Sequence, residues 1–208
     1  MIIERIPCGV FQANCYVVGS ENSGKGIVID PAGDVDKIMK IVYEHELTIE
    51  YIILTHGHGD HIGGLLELKD KTKAPILIHS LDKDMLMNKE INLSNQMPME
   101  PVEINPDKTV EDGETLALDD FEINIIHTPG HTPGSISIKI DKTIFTGDTL
   151  FKGSIGRTDL IGGSYDDIID SINKKLVKYD NDVTIFSGHG PSSTIGIEKS
   201  TNPFIKKS

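Results

Sequence analysis

Six consecutive residues, His56-Gly57-His58-Gly59-Asp60-His61, place three imidazoles and a carboxylate directly behind the apolar run Tyr51-Ile52-Ile53-Leu54. Neutral imidazole is the commonest protein ligand for a metal, and carboxylate oxygen suits a borderline cation such as zinc. The two glycines bring the backbone round tightly, so the polar side chains converge instead of splaying. Such a cluster at the end of a buried strand is electrostatically frustrated without a cation and a metal site with one.

Groups that could complete the site recur downstream in the same strand-then-turn setting. Glu122 to Ile126 reads as a strand and runs into His127-Thr128-Pro129-Gly130-His131-Thr132-Pro133-Gly134. Lys142 to Thr146 reads as another and delivers Gly147-Asp148-Thr149; Asp182 to Phe186 ends at Ser187-Gly188-His189-Gly190. Each β-rich run stops at glycine or proline beside a His or an Asp. Side chains on rigid strand ends are well suited to hold coordination geometry.

Four ordered motifs, His-Gly-His-Gly-Asp-His, Pro-Gly-His-Thr-Pro-Gly-Ser, Thr-Gly-Asp-Thr-Leu and Ser-Gly-His-Gly, resemble the metallo-β-lactamase-fold hydrolase superfamily. Gly153-Ser154-Ile155-Gly156-Arg157-Thr158-Asp159 and the closing Glu198-Lys199-Ser200-Thr201-Asn202-Pro203-Phe204 resemble its glyoxalase II-like (hydroxyacylglutathione hydrolase-like) branch. The resemblance runs from about Asn14-Cys15-Tyr16 to Phe204. It implies a four-layer αββα sandwich of α/β (α+β) class and two metal ions per chain, zinc by expectation, with iron or manganese also suited. It further implies that His56, His58 and His131 hold the first ion, Asp60, His61 and His189 the second, and that Asp148 bridges them. Two-metal sites keep their ions about 3.5–4 Å apart and lower the pKa of bound water from 15.7 to about 7, giving a nucleophile without serine or cysteine. Asp60, a ligand beside that nucleophile, is the candidate to orient it or take its proton. The implied reaction is hydrolysis of a small thioester or related acyl compound such as S-lactoylglutathione.

The substrate is less legible. Glyoxalase II carries a C-terminal helical domain that helps bind glutathione, and this sequence is expected to lack it. Where the glutathione-binding enzymes tend to have a basic residue followed two positions on by tyrosine, this chain has Arg157 and then Asp159. Arg157 is the candidate substrate-binding residue: its bidentate, permanently charged fork could clamp a carboxylate. It could equally pair with Asp159 and hold its own turn. A second function from another class is a mononuclear iron persulfide dioxygenase, a family this chain also resembles, in which His56, His131 and Asp148 would serve as a facial set. Flavodiiron relatives fit less well, since they usually carry Glu where this chain has His58.

Composition narrows the partners. A length of 208 residues suits a single domain, 1–208, able to bury a full core. Hydrophobic residues make up 38% with no Trp, so that core should be built from Ile, Leu and Val. The formal charge of −12 and the lack of a long Lys/Arg block argue against nucleic acid. No run approaches the roughly 18 apolar residues of a membrane span. Met1 to Arg5 lacks the pattern of a secretory signal, so a cytoplasmic setting with reduced Cys8 and Cys15 is expected. A small-molecule substrate remains; the oligomeric state is not readable.

The positioning elements follow from periodicity. Ile2 to Ile6, Cys15 to Gly19, Gly26 to Asp30 and Ala74 to Ile78 read as strands, which resume from Glu114. Val35 to Leu47 has helical spacing at Val35, Ile38, Met39, Ile41 and Val42. Ile62 to Lys71 should be a helix just behind the metal motif, Tyr165 to Tyr179 a helix opened by Ser164, and Pro191 to Lys199 a helical turn. Asn88 to Asp107, with three prolines and Met97 and Met99, reads as a long loop: either a flap over the cleft or a surface excursion. His45 should face solvent. His79 and His127 sit at strand ends but are expected to be structural, and Asp30 is expected to shape the ligand loop by hydrogen bonding.

Overall fold

The structure, a computed structural model, describes residues 1–119 and 121–206. One sheet contains β1 (Ile2–Cys8), β2 (Ala13–Gly19), β3 (Lys25–Ile29), β4 (Thr48–Ile53), β5 (Ile76–His79) and β6 (Lys108–Val110) in that order. The first three pair antiparallel, whereas β3 to β6 run parallel. Next come β7 (Thr115–Leu118), β8 (Phe121–His127), β9 (Ile136–Ile140), β10 (Thr143–Gly147) and a small hairpin of β11 (Leu150–Phe151) with β12 (Ser154–Ile155). With β13 (Thr184–Ser187) and β14 (Ser193–Thr194), the second sheet has the order β14-β13-β10-β9-β8-β7.

Period-two alternation sends side chains to two faces of each sheet, and both faces are covered. Tyr16, Val18, Ile27, Ile29, Ile53 and Leu77 of the first sheet meet Ile123, Ile125, Ile138 and Phe145 of the second in an inner core. Cys15, Val17, Val28 and Ile52 point the other way, under α1 (Val35–Glu44), α3 (Leu65–Thr72) and their neighbours. Ile144 and Ile185 point outward from the second sheet under α4 (Tyr165–Asp170) and the turn that continues it. Four layers, αββα, result, with an aliphatic core. Its buried aromatics are Phe121, Tyr16 and Phe145, the last fully buried and 5.0 Å edge-on from Tyr16. Among the described residues no helix is long and apolar enough to cross a membrane.

Two helices depart from the periodic reading. The helix expected over Ile62 to Lys71 is split: α2 (Gly59–Ile62) lies inside the histidine motif, and α3 begins only at Leu65. Gly64 N donates to Pro31 O at 2.8 Å instead of continuing the ladder, which ties the break to the loop after β3. The helix expected over Tyr165 to Tyr179 starts as read, with Ser164 Oγ accepting from Asp167 N, but turns π-helical from Ser171 to Leu176. Ser171 Oγ donates to Pro129 O at 2.8 Å, so the widened turn also anchors the loop that bears His131. Helix α1 buries Val35, Ile38, Met39 and Val42 as expected, but Ile41 is only partly buried and the helix ends at Glu44 rather than at Leu47.

A bulge interrupts β10. Its parallel register with β13 shifts between Phe145 and Gly147, and Gly147 adopts φ 48°. A β-carbon there would lie 2.5 Å from Thr55 Oγ1, so only glycine fits. Replacing Phe145 by Ala should remove about 3–5 kcal/mol, because the inner core cannot close over so large a gap. Urea unfolding of the metal-free protein checks this, with a lower midpoint and an unchanged slope expected.

Candidate metal centre

All the strands that lead to the histidines and aspartates deliver them at one end of the sandwich. The turn after β4 carries His56 to His61, and those after β8, β10 and β13 carry His131, Asp148 and His189. The first sheet thus supplies four of these groups and the second sheet three. Backbone bonds close the seam between them: Ile136 N donates to Thr55 O at 2.8 Å and Asn14 N to Gly188 O at 2.7 Å.

The side chains gather into two facing groups. His56, His58 and His131 offer ring nitrogens within 4.8 Å of one another, and a carboxylate oxygen of Asp60 and ring nitrogens of His61 and His189 lie within the same distance; Asp30, His56 and His61 also lie within that distance of one another. His58 Nδ1 and His131 Nε2 lie 2.9 Å apart, and His61 Nε2 and His189 Nε2 3.3 Å. Asp60 Oδ2 is 3.2 Å from His189 Nε2. Asp148 stands between the groups, 3.7 Å from His131 Nε2 on one side and 3.4 Å from His61 Nε2 on the other. A β-carbon at position 188 would come within 2.2 Å of Asp148 Oδ1, so glycine there leaves this carboxylate its space.

The donor set fits cations. Buried polar atoms nearly always have partners, yet His56 Nε2 and Asp148 Oδ1 are buried with none. Asp148 Oδ1 is the atom that faces His61 Nε2 at 3.4 Å, too far for a good hydrogen bond. Burial and then the neighbouring imidazoles depress His56 well below the ordinary histidine range and His58 to about 3, so each ring is neutral at pH 7 and keeps one nitrogen lone pair for a cation. Burial alone would raise Asp148, but His61, His131 and His189 together pull it below the usual carboxylate value. Burial would also lower His61, but Asp148, Asp60 and Asp30 outweigh it and hold that ring cationic. Protons thus stand in where positive charge is wanted.

Further residues orient these rings. Asp30 accepts from Thr55 N at 2.7 Å, Thr55 Oγ1 at 2.6 Å and His61 Nδ1 at 3.0 Å, the shaping role expected of it. His131 Nδ1 donates to the backbone oxygen of Arg157 at 2.8 Å. Such partners fix ring orientation and tautomer. Asp82, fully buried, was not evident from sequence: it accepts from Thr132 Oγ1 and Gly134 N at 2.7 Å and from Gly57 N at 3.2 Å. It therefore joins the His56 loop to the His131 loop. Tyr16 likewise donates to Ser187 O at 2.6 Å, beside His189. His79 and His127 stack on each other at 4.1 Å, away from both groups, and His45 is partly exposed near Glu4.

A cleft of about 460 Å³ opens over the groups. Its walls are mainly apolar: Phe11, Leu93, Met97, Phe151, Ile155 and Leu160. Leu93 and Met97 come from the Asn88 to Asp107 segment, which is tied down at the site. Asn92 O accepts from Gly59 N at 2.7 Å, and Ser94 Oγ accepts from Val102 N at 2.9 Å. Met99 instead packs against the outer core of the first sheet. Arg157 also lines the cleft, but its guanidinium grips Asp159 through two bonds of 2.8 and 2.7 Å. That is the pairing with Asp159 which the sequence offered as one of two readings for this residue.

An αββα sandwich with His and Asp groups gathered at one end of both sheets is the build of a metallo-hydrolase. The family model of the metallo-beta-lactamase superfamily matches residues 8–189. Hydroxyacylglutathione hydrolase GloC of Haemophilus influenzae is 39% identical, over 99% of this chain and 98% of its own. The crystal structure of the BLEG-1 B3 metallo-beta-lactamase superposes with a TM-score of 0.92 at 34% identity, covering 98% and 99% of the two chains. That of TTHA1623 in a di-iron-bound form gives 0.85 at 30%, covering 97% and 100%. The chain belongs to the metallo-beta-lactamase superfamily.

Two substitutions probe the scaffold. Asp30→Ala should weaken metal binding by about 10–100-fold, because His61 loses the partner that orients it. Gly188→Ala should displace Asp148 and lower metal content with little change in the fold. Metal titration by calorimetry alongside circular dichroism measures both.

Proposed function

We propose that this enzyme is a dinuclear metal-dependent hydrolase of the glyoxalase II-like branch, cleaving a small thioester or related acyl substrate. One observation carries this reading. Apart from the two candidate metal groups and Asp148, the only charged side chain lining the cleft among the described residues is Arg157, already paired with Asp159. No separate acid stands ready to protonate a leaving group. An amide nitrogen needs such a proton, whereas a thiolate leaves without one. The relative named as a hydroxyacylglutathione hydrolase, alike along its whole length, supports the same choice.

His56, His58 and His131 would hold one cation and Asp60, His61 and His189 the other, with Asp148 shared. Bound there, two cations lower the pKa of water toward about 7 and draw charge from a carbonyl oxygen. The chain supplies the rest. His131 is turned inward by its bond to the Arg157 oxygen, and His61 by Asp30. Burial pushes Asp60 upward, but His61 and His189 hold it well below the usual carboxylate range, so it is ionised and can accept a hydrogen bond that orients the nucleophile. The apolar walls exclude bulk water from the acyl group and strengthen these electrostatic contacts.

Elemental analysis of protein purified without added metal should find close to two ions per chain. Zinc is the expected metal; the di-iron form of a structural relative makes iron the natural comparison. Asp148→Ala should lower occupancy of both positions and cut thioester turnover by at least about 100-fold, whereas His189→Ala should empty mainly one. A single tightly held iron, with oxygen consumed on adding a persulfide and no thioester cleaved, would replace this reading with the dioxygenase.

A further inference from the structure

Beside the metal cleft lies a second cavity of about 490 Å³ that shares Phe11 and His189 with it. The two cavities adjoin at these shared residues. Arg5, an exposed residue of β1, lines this cavity from the inter-sheet face, opposite Tyr16 of β2. Its Nη1 donates to Gly190 O at 3.0 Å, which places the guanidinium one residue from His189. Asn14 Nδ2 donates to the same oxygen at 2.9 Å, so the anchor point is held from two strands.

Charge makes this cavity unusual. The chain carries a net −12, yet among the described residues no Asp or Glu lines the depression around Arg5. Nor does Arg5 take part in any ion pair among the described residues, and its Nε and Nη2 donate to no protein acceptor there. Arg157 differs in this respect, because Asp159 already occupies its fork. A guanidinium with free donors, fixed through one of them, is preorganised for a planar anion.

We infer that Arg5 is the specificity-determining residue of the site, recognising a terminal carboxylate on the substrate, which lies over Phe11 and His189 with its scissile bond at the metal groups. This inference rests on the thioester reading. The substrate class it defines is a carboxylate-ended thioester whose remaining portion is apolar enough for the cleft walls. The charge could sit on the thiol half or the acyl half; both present the same group to Arg5.

The test compares matched probes on the metal-loaded wild type, Arg5→Met, Arg5→Lys and Arg157→Met. One pair is the phenylacetyl thioester of 3-mercaptopropionate and its methyl ester; the other is the glutaryl thioester of 2-mercaptoethanol and its methyl ester. Arg5→Met, which keeps the apolar stem, should raise KM about fivefold for the carboxylate form of at least one pair while kcat holds, and shift the neutral partner by less than about twofold. Arg5→Lys should recover part of that loss. The pair that responds identifies which half carries the charge.

A second measurement works without turnover. Calorimetry with 3-(phenethylthio)propionate and its methyl amide, non-hydrolysable thioethers, should show the carboxylate's advantage in Kd lost in Arg5→Met, at unchanged metal content. Equal losses for charged and neutral probes would mean that Arg5 merely braces the His189 turn. No loss for either, or discrimination removed by Arg157→Met instead, overturns the assignment. If no thioester is cleaved by any variant, the thioester reading falls and the calorimetric pair alone judges the anion site.

Discussion

Two ring nitrogens, His58 Nδ1 and His131 Nε2, face each other 2.9 Å apart across the junction of the two sheets. His131 gives its other nitrogen's proton to a backbone oxygen, so the Nε2 lone pair points into the cleft. That meeting is the constraint on which the rest of the molecule depends. The residues that make it lie 73 positions apart and belong to different sheets, so it exists only when both sheets pack in one register. The inner core of branched aliphatic side chains around Phe145 sets that register. Packing specificity far from the cleft thus becomes coordination geometry inside it.

The polar scaffolding repeats one device at several points. A buried acceptor takes donors from segments distant in sequence: Asp30 binds the turn after β4, Asp82 joins two ligand loops, and Ser187 O receives both Tyr16 and Asn14. Each satisfies its own hydrogen-bonding capacity while fixing a neighbour. Glu198 performs the same task at the chain's other end, accepting from Gly153 N and Asn202 Nδ2 at 2.8 Å and from Ser193 Oγ. These bonds tie the closing motif, which has no place in the cleft, to the Gly153 segment. Asn202 in turn donates to Ser154 O, and Ser154 lines the cleft wall.

Much of this was legible in the sequence because the chemistry is local there. Polar residues at glycine-flanked strand ends stand out against β-branched runs, and α1 shows its buried face through spacing alone. The four-layer architecture followed from the family resemblance rather than from periodicity. What escaped notice was non-local. Asp82 looks like any acidic residue in a polar stretch, since its partners stand 25 and about 50 positions away. The break before α3 comes from a bond to Pro31, and the π-helical turn accompanies a bond to Pro129; periodicity carries neither. Arg5 gave no signal either, lying in a strand whose pattern concerns packing alone.

The bulge in β10 bears on how this chain can vary. Side chains alternate along the strand, Ile144 outward and Phe145 inward, and by that count position 148 would share the parity of Ile144 and face away from the seam. The register shift at Thr146 and the left-handed turn at Gly147 insert one step of phase, and Asp148 reaches the gap between the histidine groups. Length between Phe145 and Asp148 is therefore quantised. Adding one residue there would preserve every amino acid of the motif and still invert its parity, turning the carboxylate that stands between the two groups out of the site.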